Sequence, residues 1–121
     1  MIVFISSPYG AVFDEIKDEG QALEIALKIA RAGARKALDM GHIPLSPVLA
    51  FNGVYSESEE RQRAIKDSLA CLKWCDGVMF VNCKFSQMSA GMVLERDLAK
   101  KLDKPTIEFH YEEEKNGDFK L

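Results

Sequence analysis

The stretch of sequence that decides the fold is Ile2–Gly10, which reads IVFISSPYG. Its first part, Ile2–Ile5, is a continuous apolar run of β-branched and aromatic residues, a pattern that predicts a strand buried on both faces. Ser6–Gly10 then ends the run, because proline and glycine interrupt regular structure. The stretch therefore predicts a buried strand followed by a small polar loop.

Outward from this strand, helical and strand patterns alternate along the chain. Apolar positions recur at helical spacing from Gln21 to Met40, and Gly41 follows where a C-cap glycine is expected. Ser56 with Glu59 has the form of a capping box that opens a helix. The remaining predicted elements are the strands His42–Leu45, Val78–Val81 and Thr106–Phe109 and the helices Ser56–Trp74 and Ser89–Leu102. This alternation predicts a mainly parallel sheet of four to five strands with helices on both faces.

Ligands of such folds bind beyond the carboxyl ends of the strands. The segments expected at that edge are Ser6–Gly10, Ser46–Pro47, Asn82–Ser89 and the residues after Phe109. Three of the four are rich in serine, glycine and proline. The fold and the composition therefore predict the same rim as the binding site.

Composition limits the class of protein. The 121 residues, 47% of them hydrophobic, suffice for one domain, expected at 1–110, with 111–121 as a charged tail or hairpin. A net charge of −3 argues against a nucleic-acid partner, because no basic surplus neutralises phosphates. We expect no membrane partner, since no apolar run reaches the ~20 residues of a membrane span. Three cysteines without a secretory leader favour the cytoplasm.

The predicted helix Ser89–Leu102 carries an acidic residue in the middle of its apolar face. At about 100° per residue from Gly91, Leu98 falls at about 340° and Glu95 at about 40°. An ionised carboxylate is costly to bury unpaired, so Glu95 is expected to face a cavity, a partner or a ligand. Because helical side chains lean toward the N-terminus, the missing side chain at Gly91 leaves space above the carboxylate. A nucleophile needs such space.

A second carboxylate, Asp67, lies on the inward face of the preceding helix together with Ala64, Cys71 and Trp74. Trp74 is expected to pack against the sheet. Two inward carboxylates can act as nucleophile and as proton donor or base, as in sugar chemistry through a covalent glycosyl intermediate. The alternative is structural, because inward carboxylates often accept hydrogen bonds from basic side chains or backbone N–H groups. The glycine above Glu95 favours the functional interpretation.

Small polar residues complete the predicted rim. Ser89 opens a helix whose free N–H groups can bind an anion, although serine at a helix start is very often only an N-cap. Tyr9 is a candidate for stacking on a base or bonding a sugar hydroxyl, or is an ordinary loop tyrosine. Ser46 is a further candidate by topology. The cysteines and histidines lack the spacing of structural zinc sites, so we expect no metal.

These residues resemble the nucleoside 2-deoxyribosyltransferase superfamily, which includes the deoxynucleoside 5′-monophosphate N-glycosidases. The resemblance implies a flavodoxin- or Rossmann-like three-layer sandwich. In the resembled families, tyrosine usually stands at Phe4 and glycine at Ser7, so this sequence departs from the pattern there. The likeness spans Ile2 to about Ile107 and rests on Ser7-Pro8-Tyr9, on Asp67 before Cys75-Asp76-Gly77-Val78, and on Ser89-x-Gly91-x-x-x-Glu95.

The resemblance implies a role for each matching residue. Glu95 would attack the anomeric carbon of a sugar and Asp67 would assist the departing base. Ser89 matches the serine with which the nucleotide hydrolases contact a 5′-phosphate, where the transferases carry aspartate. The sugar, base and phosphate would further contact Ser7, Pro8, Tyr9, Ser46 and Gly91.

We therefore expect hydrolysis or deoxyribosyl transfer on a nucleoside or nucleoside 5′-monophosphate. No cofactor is needed, because the carboxylate supplies covalent catalysis. The resemblance also implies a homo-oligomer, a dimer or a tetramer. Two other interpretations stay open: a non-catalytic nucleotide-binding or sensor domain, and an interaction module in which a buried basic partner neutralises Glu95.

Overall fold

Strands and helices alternate along the chain in the computed structural model, which describes residues 1–56 and 59–112. The tail or hairpin expected at 111–121 lies outside the described residues from position 113 onward. A short 3-10 turn occupies Ser86–Met88. The strands are β1 (Ile2–Ser6), β2 (Ile43–Leu45), β3 (Gly77–Asn82) and β4 (Thr106–His110), and the helices are α1 (Gly10–Glu15), α2 (Glu19–Asp39), α3 (Pro47–Ala50), α4 (Arg61–Trp74) and α5 (Ala90–Lys101).

The four described strands form one parallel sheet in the order β2-β1-β3-β4. β1 lies inside the sheet, with Phe4 opposite Leu45 on one side and Val78 on the other. An inner strand of a parallel sheet is covered on both faces, which explains why β1 is apolar without alternation. The predicted α/β class and parallel sheet are confirmed.

Helices cover both faces of the sheet and produce three layers. On one face, α1 and α2 pack against Val3, Ile5, Met79 and Val81. On the other face, residues of α4 and α5 pack against Phe4, Val78 and Phe80. Successive strand residues point to opposite faces, so each strand supplies both cores. The predicted three-layer sandwich is confirmed.

A glycine lets α2 lie close to the sheet. A Cβ atom at Gly33 would stand 2.5 Å from Cγ2 of Val81 and 2.9 Å from Cγ2 of Ile5. Real Cβ atoms do not approach carbon atoms so closely, so any other residue would push the helix outward. The absence of a side chain at Gly33 therefore sets the spacing between α2 and the sheet.

The prediction for the start of α4 is wrong. The helix begins at Arg61, with Glu60 as its N-cap residue, and not at a Ser56–Glu59 capping box. Ser56 instead donates its backbone N–H to Glu60 Oε1 over 2.9 Å, one position later than predicted. The short helices α1 and α3 were not predicted either, because six and four residues are too few to show helical periodicity.

Trp74 was predicted to pack against the sheet, and this is wrong, because 87% of the residue is exposed. It is the last residue of α4, where the chain turns toward β3. The buried residues Leu72 and Cys75, on either side of it, fill the core beneath that turn. Within the described ranges, no helix combines the length and the apolar character needed to cross a bilayer.

Candidate functional site

A cavity of about 270 Å³ lies where β1, β2 and β3 end. Its lining comes from the loop after β1, from α3 and the segment that follows it, from α4, and from the start of α5. Carboxyl ends of parallel strands meet at one edge of a sheet, so segments distant in sequence converge there. The cavity therefore lies at the rim that the sequence predicted.

Glu95 presents its carboxylate to this cavity. Ser6 donates its hydroxyl to Oε1 over 2.6 Å, and Ser68 donates to Oε2 over 3.2 Å. In residues 1–56 and 59–112, no basic side chain forms an ion pair with Glu95. Burial raises the pKa of Glu95 from the usual 4.5 to about 7, against the lowering effect of the two hydroxyls. The carboxyl group can thus gain or lose a proton near neutral pH.

The space predicted above Glu95 is present. A Cβ atom built at Gly91 would meet no atom within 4 Å, and both Gly91 and Glu95 line the cavity. One turn of helix separates the two residues, and in the described part of the chain the position of that Cβ atom is open space. An incoming group can therefore reach the carboxylate from the side of Gly91.

Ser89 and Ser7 also line the cavity. Ser89 is the N-cap of α5 and accepts the N–H of Met92 over 3.2 Å. Ser7 differs, because its hydroxyl is buried and is the only buried side-chain oxygen or nitrogen in the described part of the chain without a hydrogen-bond partner. Buried polar groups normally have partners, so the Ser7 hydroxyl is an exception within the described residues. Tyr9 lies nearby, with its ring 5.0 Å from that of Phe13.

Three of the predicted site residues do not line the cavity. Pro8 is fully buried, and Ser46 caps α3 by accepting the N–H of Leu49 over 3.2 Å. Asp67 accepts the hydroxyl of Tyr55 over 2.5 Å and lies 3.6 Å from Arg63 Nε, with 37% of its side chain exposed. Consecutive helical residues differ by about 100°, so when Ser68 faces Glu95, Asp67 faces the edge of α4.

Asp67 nevertheless reaches the cavity through Tyr55, which lines it. The hydrogen bond to Asp67 raises the pKa of the Tyr55 phenol, so this hydroxyl keeps its proton at neutral pH. The sequence placed Tyr55 in a loop without a role.

Sequence reasoning also missed Ser6 and Ser68, the two partners of Glu95. One signal was available for Ser6, because side chains two residues apart in a strand share a face. Phe4 packs against the α4 and α5 side of the sheet, so Ser6 points the same way, toward Glu95. Extending the predicted strand by one residue would have placed Ser6 on the face of the sheet that α4 and α5 cover.

A metal centre has no obvious place among the described residues. Within residues 1–56 and 59–112, no group of three or more His, Cys, Asp or Glu side chains is arranged to hold a metal ion. The cysteines Cys71, Cys75 and Cys83 are all free thiols.

Comparison with known proteins identifies a family that this chain matches and a solved structure with a similar fold. A family model described as a domain of unknown function, DUF7768, matches residues 1–109. No curated protein matches the chain in sequence. Among solved structures, the fold is similar to that of a 2-deoxyribosyltransferase from the psychrotolerant bacterium Bacillus psychrosaccharolyticus, with 19% identity and a TM-score of 0.56. The match covers 91% of this chain and 72% of that one. The fold predicted from the resemblance is confirmed.

Proposed function

The chain belongs to the DUF7768 family, and from the geometry of its cavity we propose that it cleaves the N-glycosidic bond of a nucleoside or a nucleoside 5′-monophosphate. One observation carries the proposal: a carboxylate with no cation beside it in the described chain, held by two hydroxyls, faces open space over a glycine. The fold that it shares with a 2-deoxyribosyltransferase supports the same chemistry.

In the proposed reaction, Glu95 forms a covalent bond to the sugar. An oxygen of its carboxylate attacks the anomeric carbon, the carbon–nitrogen bond breaks, and the base leaves with the bonding electrons. Water, or a second base in a transfer reaction, then attacks the same carbon, loses a proton to solvent and releases the Glu95 carboxylate. Ser6 and Ser68 aim the two carboxylate oxygens and stabilise their charge.

The departing base must gain a proton. That proton comes from solvent water, because the Tyr55 hydroxyl donates its own proton to Asp67. We assign assistance of base departure to Asp67, which holds the Tyr55 hydroxyl at the cavity wall, where the phenol oxygen can accept a hydrogen bond from the protonated base. Asp67 is in this scheme a positioning residue, since it does not line the cavity. Tyr55→Phe and Asp67→Ala should then slow base release to a similar degree, because either change removes the hydrogen bond between the two side chains.

The remaining lining fits the parts of a nucleoside. Apolar side chains that can cover a base come from Val48, Phe51, Ile65, Leu69, Met88 and Leu94. Ser7 supplies a buried hydroxyl for a sugar oxygen, and Ser89 with the N–H groups at the start of α5 supplies donors for a 5′-phosphate. Apolar walls with a few polar groups are typical of small-molecule sites.

The direct test is release of free base, measured by chromatography after incubation with ribo- and deoxyribonucleosides and their 5′-monophosphates. Glu95→Gln should abolish release while circular dichroism shows an intact fold. Asp97→Asn is the matched control, because it removes an exposed carboxylate from the same helix outside the cavity. Undiminished release by Glu95→Gln contradicts the proposal. Binding without release by the unmodified protein favours a nucleotide sensor.

Two further proposals follow from the resemblance. The first is that the protein forms a homo-oligomer, a dimer or a tetramer. Apolar residues exposed at the cavity support it, because Met88 is 77% and Leu94 is 46% exposed and both line the cavity. Light scattering on the purified protein tests the oligomeric state, and a monomer at all concentrations contradicts it. A cytoplasmic location is tested by fractionation of cells that produce the protein.

A further inference from the structure

Arg61 supplies a positive charge to the cavity. It is the first residue of α4, its side chain is exposed, and it contributes to the cavity lining. Among the lining residues that the structure describes, it is the only Lys or Arg, and the carboxylates there are Asp14 and Glu95. No acidic side chain within residues 1–56 and 59–112 forms an ion pair with Arg61. Its guanidinium donors are therefore available to a ligand.

The guanidinium of Arg61 packs against Gly10. A Cβ atom built at Gly10 would collide with Nη2 of Arg61 and would lie 3.4 Å from its Cζ. Gly10 begins α1 and follows the Ser7–Tyr9 loop, so the guanidinium lies against the loop that ends β1. Because Gly10 has no side chain, Arg61 can reach the cavity from α4 at this point.

The charge of the cavity decides which ligands it accepts. Two carboxylates disfavour an anion, and a guanidinium with free donors reverses that preference at its own end of the cavity. A guanidinium binds phosphate through two parallel hydrogen bonds, which a single ammonium cannot reproduce. Within the described chain, Arg61 is the strongest phosphate-binding group that faces this space.

We infer that Arg61, seated on Gly10, binds the phosphate of a nucleoside 5′-monophosphate and makes the protein select phosphorylated over unphosphorylated ligands. The inference rests on the proposed function and extends it, since neither Arg61 nor Gly10 belongs to the residues that carry the resemblance. Three segments then form the phosphate site: the start of α4, the start of α1, and the start of α5 with Ser89.

Equilibrium binding measured by calorimetry tests this inference. The probes are the ribo- and deoxyribonucleoside 5′-monophosphates, the corresponding nucleosides, and inorganic phosphate as competitor. Arg61→Ala should weaken binding of the monophosphates about 10- to 100-fold and leave nucleoside binding unchanged. Arg61→Lys should give an intermediate loss, because it keeps the charge without the planar fork.

Two more variants separate a local contact from a general charge effect. Lys66→Ala removes one positive charge from α4 outside the cavity and should leave monophosphate binding unchanged. Gly10→Ala keeps Arg61 but displaces its guanidinium, and should weaken monophosphate binding as Arg61→Ala does. Should Gly10→Ala fail to fold, the Arg61 variants decide the question without it.

The outcomes distinguish this inference from the proposed function. Equal binding of nucleosides and monophosphates by the unmodified protein, or a monophosphate preference retained in Arg61→Ala, overturns the inference. If base release from free nucleosides still depends on Glu95 in that case, the proposed function stands. If neither nucleosides nor monophosphates bind, both are wrong.

Discussion

Replacing Glu95 by glutamine should stabilise the protein, and by more at high pH than at low pH. Glutamine has nearly the same shape and can accept the Ser6 hydroxyl, but it carries no charge to bury. Because burial raises the pKa of Glu95 to about 7, the folded protein holds this carboxyl protonated between pH 4.5 and about 7, where the unfolded chain has lost the proton. In that window the stability of the unmodified protein falls as the pH rises.

The magnitude follows from the two pKa values. The interval from 4.5 to about 7, at about 1.4 kcal/mol per pH unit, corresponds to about 3 kcal/mol of stability. The loss begins as pH rises past the unfolded pKa and is complete above the folded one. From pH 5 to pH 8, the unmodified protein should therefore lose about 2 kcal/mol of stability relative to Glu95→Gln.

Urea unfolding followed by circular dichroism measures the difference. The free energy of unfolding is determined for both proteins at pH 5 and pH 8, and the other titrating groups cancel in the comparison. Glu95→Gln should exceed the unmodified protein by about 2 kcal/mol more at pH 8 than at pH 5. A difference that is equal at both pH values would show that Glu95 is well solvated or paired, and the reasoning about its burial would be refuted.

The other predictions concern single contacts. Base release should rise with pH through about 7, the pKa of Glu95, and Ser6→Ala should move the midpoint of a pH–rate profile upward by about one pH unit, because it removes a hydrogen bond to the ionised form. Gly91→Ala should leave urea stability unchanged or raise it by up to about 1 kcal/mol while slowing base release, since its Cβ enters open space above the carboxylate. Gly33→Ala should instead lower stability by about 1–3 kcal/mol through overpacking against β1 and β3, and equal stabilities of the two alanine variants would contradict this assignment. Trp74→Ser should change the free energy of unfolding by no more than about 0.5 kcal/mol, and a loss of several kcal/mol would mean that Trp74 is buried after all.

Structural features that depend on a single helix or strand could be predicted from the amino-acid sequence. The continuous apolar run of β1 reports burial on both faces, and the 3.6-residue period of α5 places Glu95 on its apolar side. The glycine one turn before it predicts free space because both residues share one helix. The cavity at the ends of the strands follows from the alternation of strands and helices alone.

Features that depend on two elements were not readable. Ser68 meets Glu95 only because α4 and α5 pack side by side, and the rotation of α4 that brings Ser68 inward also turns Asp67 to its edge. Helical periodicity gives the angles between residues of one helix, but the absolute rotation of that helix is set by what it packs against. Trp74 was misplaced for the same reason.

The order of apolar and polar residues thus dictates which segments fold and which of their faces is buried, because burial of apolar surface drives both choices. The two partners of Glu95 lie 89 and 27 positions from it in the sequence, and Gly10 and the guanidinium of Arg61 belong to different helices. Such contacts depend on the relative placement of packed helices and strands to within an ångström or so, and no local pattern in the chain encodes that placement.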